Sequence, residues 1–189
     1  MPKYSKSNIN FIIDKDTFSR LFRNASSRRD RAWITVLWLT AARPEEALGL
    51  QKKNITINPE HTLFHIETKK LGFQKKGNFI VEKRKLRIKI KANNKYIKNL
   101  NKYMKPFKPE QHIFQFSKRT GNNIIKRIGL EALSKHLCPY NFRHSRMTIL
   151  AEQGNSKEYL KRFKGARSDQ SVSPYLHARK VEYDVDAEV

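Results

Sequence analysis

The chain has 189 residues, 38% of them hydrophobic, and sets 40 Lys and Arg against 17 Asp and Glu, for a formal net charge of +23. That length allows one domain with a real core, and the basic excess calls for a polyanionic partner, nucleic acid being the commonest. An anionic membrane surface is disfavoured, because the sequence shows no N-terminal apolar stretch, no run of about 18 apolar residues and no lipidation signal. The single cysteine, Cys138, excludes an intramolecular disulfide and fits a reducing compartment.

Met1 to Asn10 is polar and reads as a flexible arm. Asp14-Lys15-Asp16 ahead of Thr17-Phe18-Ser19-Arg20-Leu21-Phe22 reads as a capped first helix. Ser26 to Asp30 is a turn, and Ala32 to Thr40 a strongly apolar helix. Arg43 falls in a short break, and Pro44 suits the first position of the next helix, Glu45 to Leu50.

From Ile55 the period changes to two. Ile55–Ile57, Leu63–Ile66, Phe79–Val81 and Leu86–Ile90 alternate apolar with polar or basic residues, as half-buried antiparallel strands do. Asn58–Glu60 and Leu71–Asn78 are the turns. Helices resume at about Asn93–Tyr103, Gly121–Ser134, Asn141–Gln153 and Ser156–Phe163, with Gly154 and Gly165 where helices end. Cys138 and Tyr159 read as core residues. The order predicts a single α+β domain, mainly α, with a small antiparallel sheet of about three strands.

Two arginines and a late tyrosine stand out: Arg43 in Thr40-Ala41-Ala42-Arg43-Pro44-Glu45-Glu46-Ala47-Leu48, Arg143 in Phe142-Arg143-His144-Ser145, and Tyr175 in Ser173-Pro174-Tyr175-Leu176-His177. Cutting a phosphodiester by transesterification needs an oxygen nucleophile, charge on the non-bridging oxygens, a proton acceptor and a proton donor. Arginine suits the second task, because its planar fork donates two parallel hydrogen bonds to phosphate and keeps its charge. Either arginine alone reads as a solvated surface residue. The pair with Tyr175, in this order and spacing, points instead to metal-free chemistry at a phosphate.

These strings resemble the boxes of the tyrosine recombinase (phage integrase) family, over nearly the whole chain from about Ile12 to Val185. The first box is similar except for Ala41, where a glycine is usual. The second continues to Leu150-Ala151-Glu152-Gln153-Gly154, and the third comprises Phe163-Lys164-Gly165 and Tyr175-Leu176-His177. The resemblance looks closer to divergent archaeal integrases than to bacterial chromosome-dimer resolvases. It implies a nucleophilic Tyr175 that joins the DNA 3′ phosphate, a phosphate clamp of Arg43 and Arg143, and a hairpin lysine that protonates the leaving oxygen. That lysine is Lys69 by position, with Lys70 and Lys75 as substitutes because this hairpin is longer than the usual one. Two positions depart from the pattern: Tyr140 stands where histidine is typical, and Ala166 where histidine or tryptophan is frequent. A phenol can hydrogen-bond the attacking group, yet its ordinary pKa near 10 makes it a poor base at neutral pH. Arg167 or Lys164 reaches in for Ala166, His144 packs or orients Arg143, and His177 is a substitute base.

Between Lys69 and Lys98 there are twelve Lys or Arg and one acid, Glu82, with aromatic residues interleaved. Strand alternation places Arg87 and Lys89 opposite Leu86, Ile88 and Ile90, so one face can track a DNA backbone. Lys70, Lys75, Lys76, Lys83, Arg84, Arg87, Lys89 and Arg167 are the expected DNA contacts. The resemblance implies no cofactor and no metal, a double-stranded attachment site, a homo-oligomer (dimer or tetramer) on that DNA, and a cytoplasmic, nucleoid-associated place of work on a mobile element. The expected layout is an arm (1–10), a catalytic domain (11–178) and an acidic tail (179–189), with no room for the family's N-terminal core-binding domain. The alternative function is a weakened or inactive DNA-binding relative acting as a regulator. A type IB topoisomerase, sharing the tyrosine chemistry, ranks third.

Overall fold

The structure is a computed structural model; it describes residues 11–70, 80–166 and 168–176, with the backbone alone for 68–70 and 80–82. The arm at 1–10, the turn expected over Leu71–Asn78 and the acidic tail lie outside the described residues.

Asp14 opens α1 (Lys15–Asn24) by accepting the Thr17 N–H at 2.8 Å, as its position before the apolar run predicts. Helix α2 (Arg28–Thr40) starts at a Ser27 cap, and every residue from Ala32 to Thr40 is buried. A helix apolar all round has to be enclosed. Here α1, α4 (Lys95–Met104), α5 (Lys118–Leu133) and α6 (Pro139–Glu152) enclose it. Phe18 stacks on Trp38 with ring centroids 5.0 Å apart, and Trp33 donates Nε1–H to the Gly121 carbonyl at 3.1 Å. A Cβ at Gly121 would lie 2.8 Å from the Trp33 ring. Gly121, expected to begin a helix, therefore sits inside α5, which starts at Lys118 behind the Ser117 cap.

Strands β1 (Ile55–Ile57), β2 (Thr62–Lys70) and β3 (Ile80–Ile88) form one antiparallel sheet in that order, with β2 and β3 paired from Thr62↔Ile88 to Lys70↔Ile80. Phe64, Ile66, Leu86 and Ile88 face inward. The segments expected as separate strands over Phe79–Val81 and Leu86–Ile90 are joined: from Ile80 to Ile88 the described chain is one continuous β3, and Lys89 and Ile90 lie past its end. The interruption in the pattern is Arg84, which takes an inward position where alternation asks for an apolar side chain.

Helix α7 (Lys157–Lys164) and the short α8 (Ser173–Leu176) pack against α6. Gly154 and Gly165, at φ 79° and 63°, follow the ends of α6 and α7 in the left-handed conformation expected of them. Two expectations need correction. Tyr159 is 44% exposed, because Leu160 and Phe163 fill the buried face of α7 and Tyr159 stacks on Phe163 from outside. Cys138 is only half-buried, at the N-cap of α6. Among the described residues no helix is long and apolar enough to cross a membrane.

Candidate active site

Helix α2 ends at Ala41, which takes the left-handed conformation (φ 49°, ψ 32°), and the chain turns through Ala42 into α3 (Pro44–Leu48). Pro44 holds the first helical position, as expected from the sequence, and Arg43, expected only in the break before it, is the N-cap residue. Three residues on, Glu46 accepts the Arg43 backbone N–H at 2.8 Å and Arg43 Nη1 at 2.6 Å. Arg84 reaches the same carboxylate from β3, Nη2 to Oε2 at 2.8 Å. Glu46 is buried, while the Arg43 side chain stays 41% exposed. Arg43 is thus held by its carboxylate and still open to a ligand.

Arg143, on α6, is 6% exposed. Its Nη1 donates to the Ala41 carbonyl and its Nη2 to the Lys164 carbonyl, the latter at 2.7 Å. One guanidinium therefore ties the corner before α3 to the end of α7. Burial first, then repulsion from Arg43, pulls its pKa down to about 10, with Glu46 acting the other way. It remains charged near neutrality.

Tyr175, on α8, is 3% exposed, and the Tyr140 phenol is close enough to interact with its own. Burial, and then Tyr140, push its phenol above the ordinary tyrosine range, while Arg143 draws it down. His144 lies against Tyr175 at 5.4 Å between ring centroids and stacks on Tyr140 at 5.9 Å. Burial first, and Lys164 second, lower the His144 pKa, so the imidazole is neutral around pH 7, with Nδ1 buried and unpartnered among the described residues. Lys164 Nζ sits over the Tyr175 ring, 4.8 Å from its centroid, and donates to the Ser171 carbonyl. Phenol, imidazole, ammonium and two guanidiniums are thus packed side by side.

Arg43, Arg143, Tyr140 and Lys164 line one cleft of about 860 Å³, whose far wall is the Lys118–Asn122–Lys126 face of α5. A second groove of about 620 Å³ runs between β3 and α7, lined by Lys83, Lys85, Arg87, Lys161 and Arg162. Ala166 borders both. Among the described residues no three His, Cys, Asp or Glu side chains gather in a way that could hold a metal ion. The chemistry this arrangement offers is anion capture beside a phenol.

The remaining expected residues fall in several places. Lys69 and Lys70 end β2 opposite Val81 and Ile80, with only their backbone described. Lys83 and Arg87 are exposed, Lys83 pairing with Glu67 at 3.2 Å and Arg87 Nη2 approaching His61 Nδ1 at 3.5 Å. Lys89 is exposed just past β3. Arg84, expected on the DNA-facing side, points inward with its side chain 9% exposed, held by Glu46 and the Phe163 carbonyl. Lys75, Lys76, Arg167 and His177 lie outside the described residues.

The sequence reading missed Glu46, the carboxylate that positions Arg43. Its signal was there, an acid three residues after the residue preceding Pro44, but arginine is not among the usual capping residues.

The fold is that of known recombinases. XerA recombinase superposes with a TM-score of 0.70 at 20% identity, over 88% of this chain and 60% of XerA. XerH, bound to its difH substrate before cleavage, gives 0.66 at 20% identity, over 88% of this chain and 50% of XerH. The catalytic domain of bacteriophage HP1 integrase gives 0.57 at 17% identity, over 90% of this chain and 89% of that domain. This chain thus spans about half to three-fifths of the Xer chains it matches. No curated protein matches the sequence. Residues 12–182 do match the sequence pattern of the phage integrase family, and the chain belongs to that family of tyrosine recombinases.

Proposed function

We propose that this chain is the catalytic part of a site-specific DNA recombinase or integrase that cuts and rejoins strands through a 3′-phosphotyrosyl link. The observation that carries the reading is that Arg43 and Arg143 line one cleft with Tyr140 and Lys164, and that Tyr175 is buried directly behind it, under the Lys164 ammonium and against His144. In the proposed step Tyr175 Oη attacks the scissile phosphorus as its proton leaves toward the Tyr140–His144 side. The P–O5′ bond breaks, and the freed 5′ oxygen takes a proton from Lys69. Arg43 and Arg143 hold the non-bridging oxygens, where negative charge builds in the transition state. Reversal by an incoming 5′ hydroxyl restores the phosphodiester, so no metal or nucleotide is consumed.

The partner in this reading is a double-stranded attachment site on a mobile element, engaged in the cytoplasm at the nucleoid by a dimer or tetramer of the protein. Lys83, Arg87 and Lys89 supply backbone contacts along the sheet, and Lys70, Lys75, Lys76 and Arg167 extend them. Arg84 enters as a brace for the clamp. Burial of Tyr175 favours a second reading, a regulator that binds DNA without cutting it.

The test is a suicide substrate, a nicked duplex carrying the attachment site. Wild type is expected to form a covalent protein–DNA adduct that Tyr175→Phe abolishes. An adduct that survives the substitution moves the nucleophile elsewhere; no adduct with wild type favours the regulator.

A further inference from the structure

Lys164 is a cation in a place that disfavours cations. It is half-buried at the end of α7, and Arg43 from α3 and Arg143 from α6 both repel it. The other groups facing it are His144 from α6, Tyr175 from α8 and the Ser171 carbonyl, with Tyr140 of α6 lining the same cleft. Among the described residues no carboxylate lies within ion-pair distance: Glu46 is engaged with Arg43 and Arg84. A half-buried ammonium whose partners are one carbonyl and a ring face lacks compensation for its lost hydration. What would supply it is an anion in the cleft that Lys164 shares with both arginines.

We propose that Lys164 is a catalytic residue whose ammonium moves from the Ser171 carbonyl onto a non-bridging oxygen of the scissile phosphate, as a third cation beside Arg43 and Arg143. This role rests on the reading that Tyr175 attacks a DNA phosphate in this cleft. The covalent bookkeeping of that step is unchanged, because Lys164 donates hydrogen bonds and gives up no proton. Burial, then Arg143 and Arg43, hold its pKa down to about 8, so the DNA-free protein loses this charge not far above neutrality. A bound phosphate acts in the opposite direction and keeps it.

The experiment is single-turnover cleavage of the suicide duplex at limiting protein concentration, followed from about pH 6.5 to about pH 10, a regime that reports the free protein's titration. Wild type is expected to lose rate as pH rises past about 8. Lys164→Arg, whose charge does not titrate there, is expected to hold its rate. Lys164→Met is expected to cleave about 10²- to 10³-fold more slowly while binding DNA within about tenfold of wild type, since it removes one phosphate contact among many. The role is overturned if Lys164→Met cleaves at the wild-type rate, or if Lys164→Arg declines at the same pH as wild type. Should the methionine variant fail to fold, the arginine profile decides alone. Absence of any Tyr175-dependent adduct in wild type removes the function and this role together; an adduct indifferent to Lys164 removes the role only.

Discussion

Replacing Arg143 with alanine is expected to slow DNA cleavage by about 10³-fold or more and to lower the stability of the fold by about 2–4 kcal/mol. The catalytic loss follows from removing a guanidinium at the point where phosphate charge builds. The stability loss follows from what the same group does without DNA. Its two Nη donors satisfy the carbonyls of Ala41 and Lys164, and leaving two buried acceptors bare costs about 1–3 kcal/mol each. Relief of the buried charge returns part of that. In a domain of this size the difference is a fall of about 4–16 °C in melting temperature. Arg43→Ala is the control. Its side chain is 41% exposed, so its ion pair with Glu46 contributes under about 1 kcal/mol, whereas the cleavage defect should be comparable. Thermal melting beside suicide-substrate cleavage separates the two, and equal melting of both variants would refute the structural part for Arg143. An Arg143→Lys variant is expected to share the defects of the alanine variant, because a compact ammonium cannot span both carbonyls and a phosphate.

The second large effect centres on Glu46. Glu46→Ala is expected to destabilise the protein by about 3–5 kcal/mol, the range for breaking a buried ion pair by removing one partner. Arg84 then stays buried, with Arg43 and Arg143 nearby and no carboxylate between them. Burial and Arg43 already lower the Arg84 pKa, Glu46 opposes them, and Arg84 Nε lacks a partner among the described residues. The double variant Glu46→Ala/Arg84→Met should recover much of the loss, because replacing both members with apolar groups removes the stranded charge. Urea denaturation of the two variants checks this. A double variant no more stable than Glu46→Ala would mean that the carboxylate acts mainly by capping α3. Cleavage should fall in both, since Arg43 loses the group that aims it.

These two effects also mark how far the sequence could be read. Asp14 before an apolar run, Pro44 after Arg43, and Gly154 and Gly165 at helix ends were legible because each acts within a few residues of its own position. The spacing of Arg43, Arg143 and Tyr175 was legible because a family pattern carries it. Arg84 was not, because its neighbours along the strand are charged and its reason for facing inward is a carboxylate 38 residues away. Tyr159 was misread for the converse reason: one turn of α7 offers several apolar side chains, and only the packing of Leu160 and Phe163 decides which is left outside. The cramped surroundings of Lys164 arise from three elements meeting, and no local pattern records that.

Ala41 has a consequence for what this corner can become over time. A left-handed alanine costs about 1–2 kcal/mol relative to glycine, yet its methyl is wholly enclosed and contributes about 0.8 kcal/mol. The two smallest amino acids thus stand close to a tie, and drift between them is nearly neutral. Any larger side chain would meet both the backbone conformation and the surrounding wall, and would turn the carbonyl away from Arg143. This corner has room for a single methyl, and the next carbon has none.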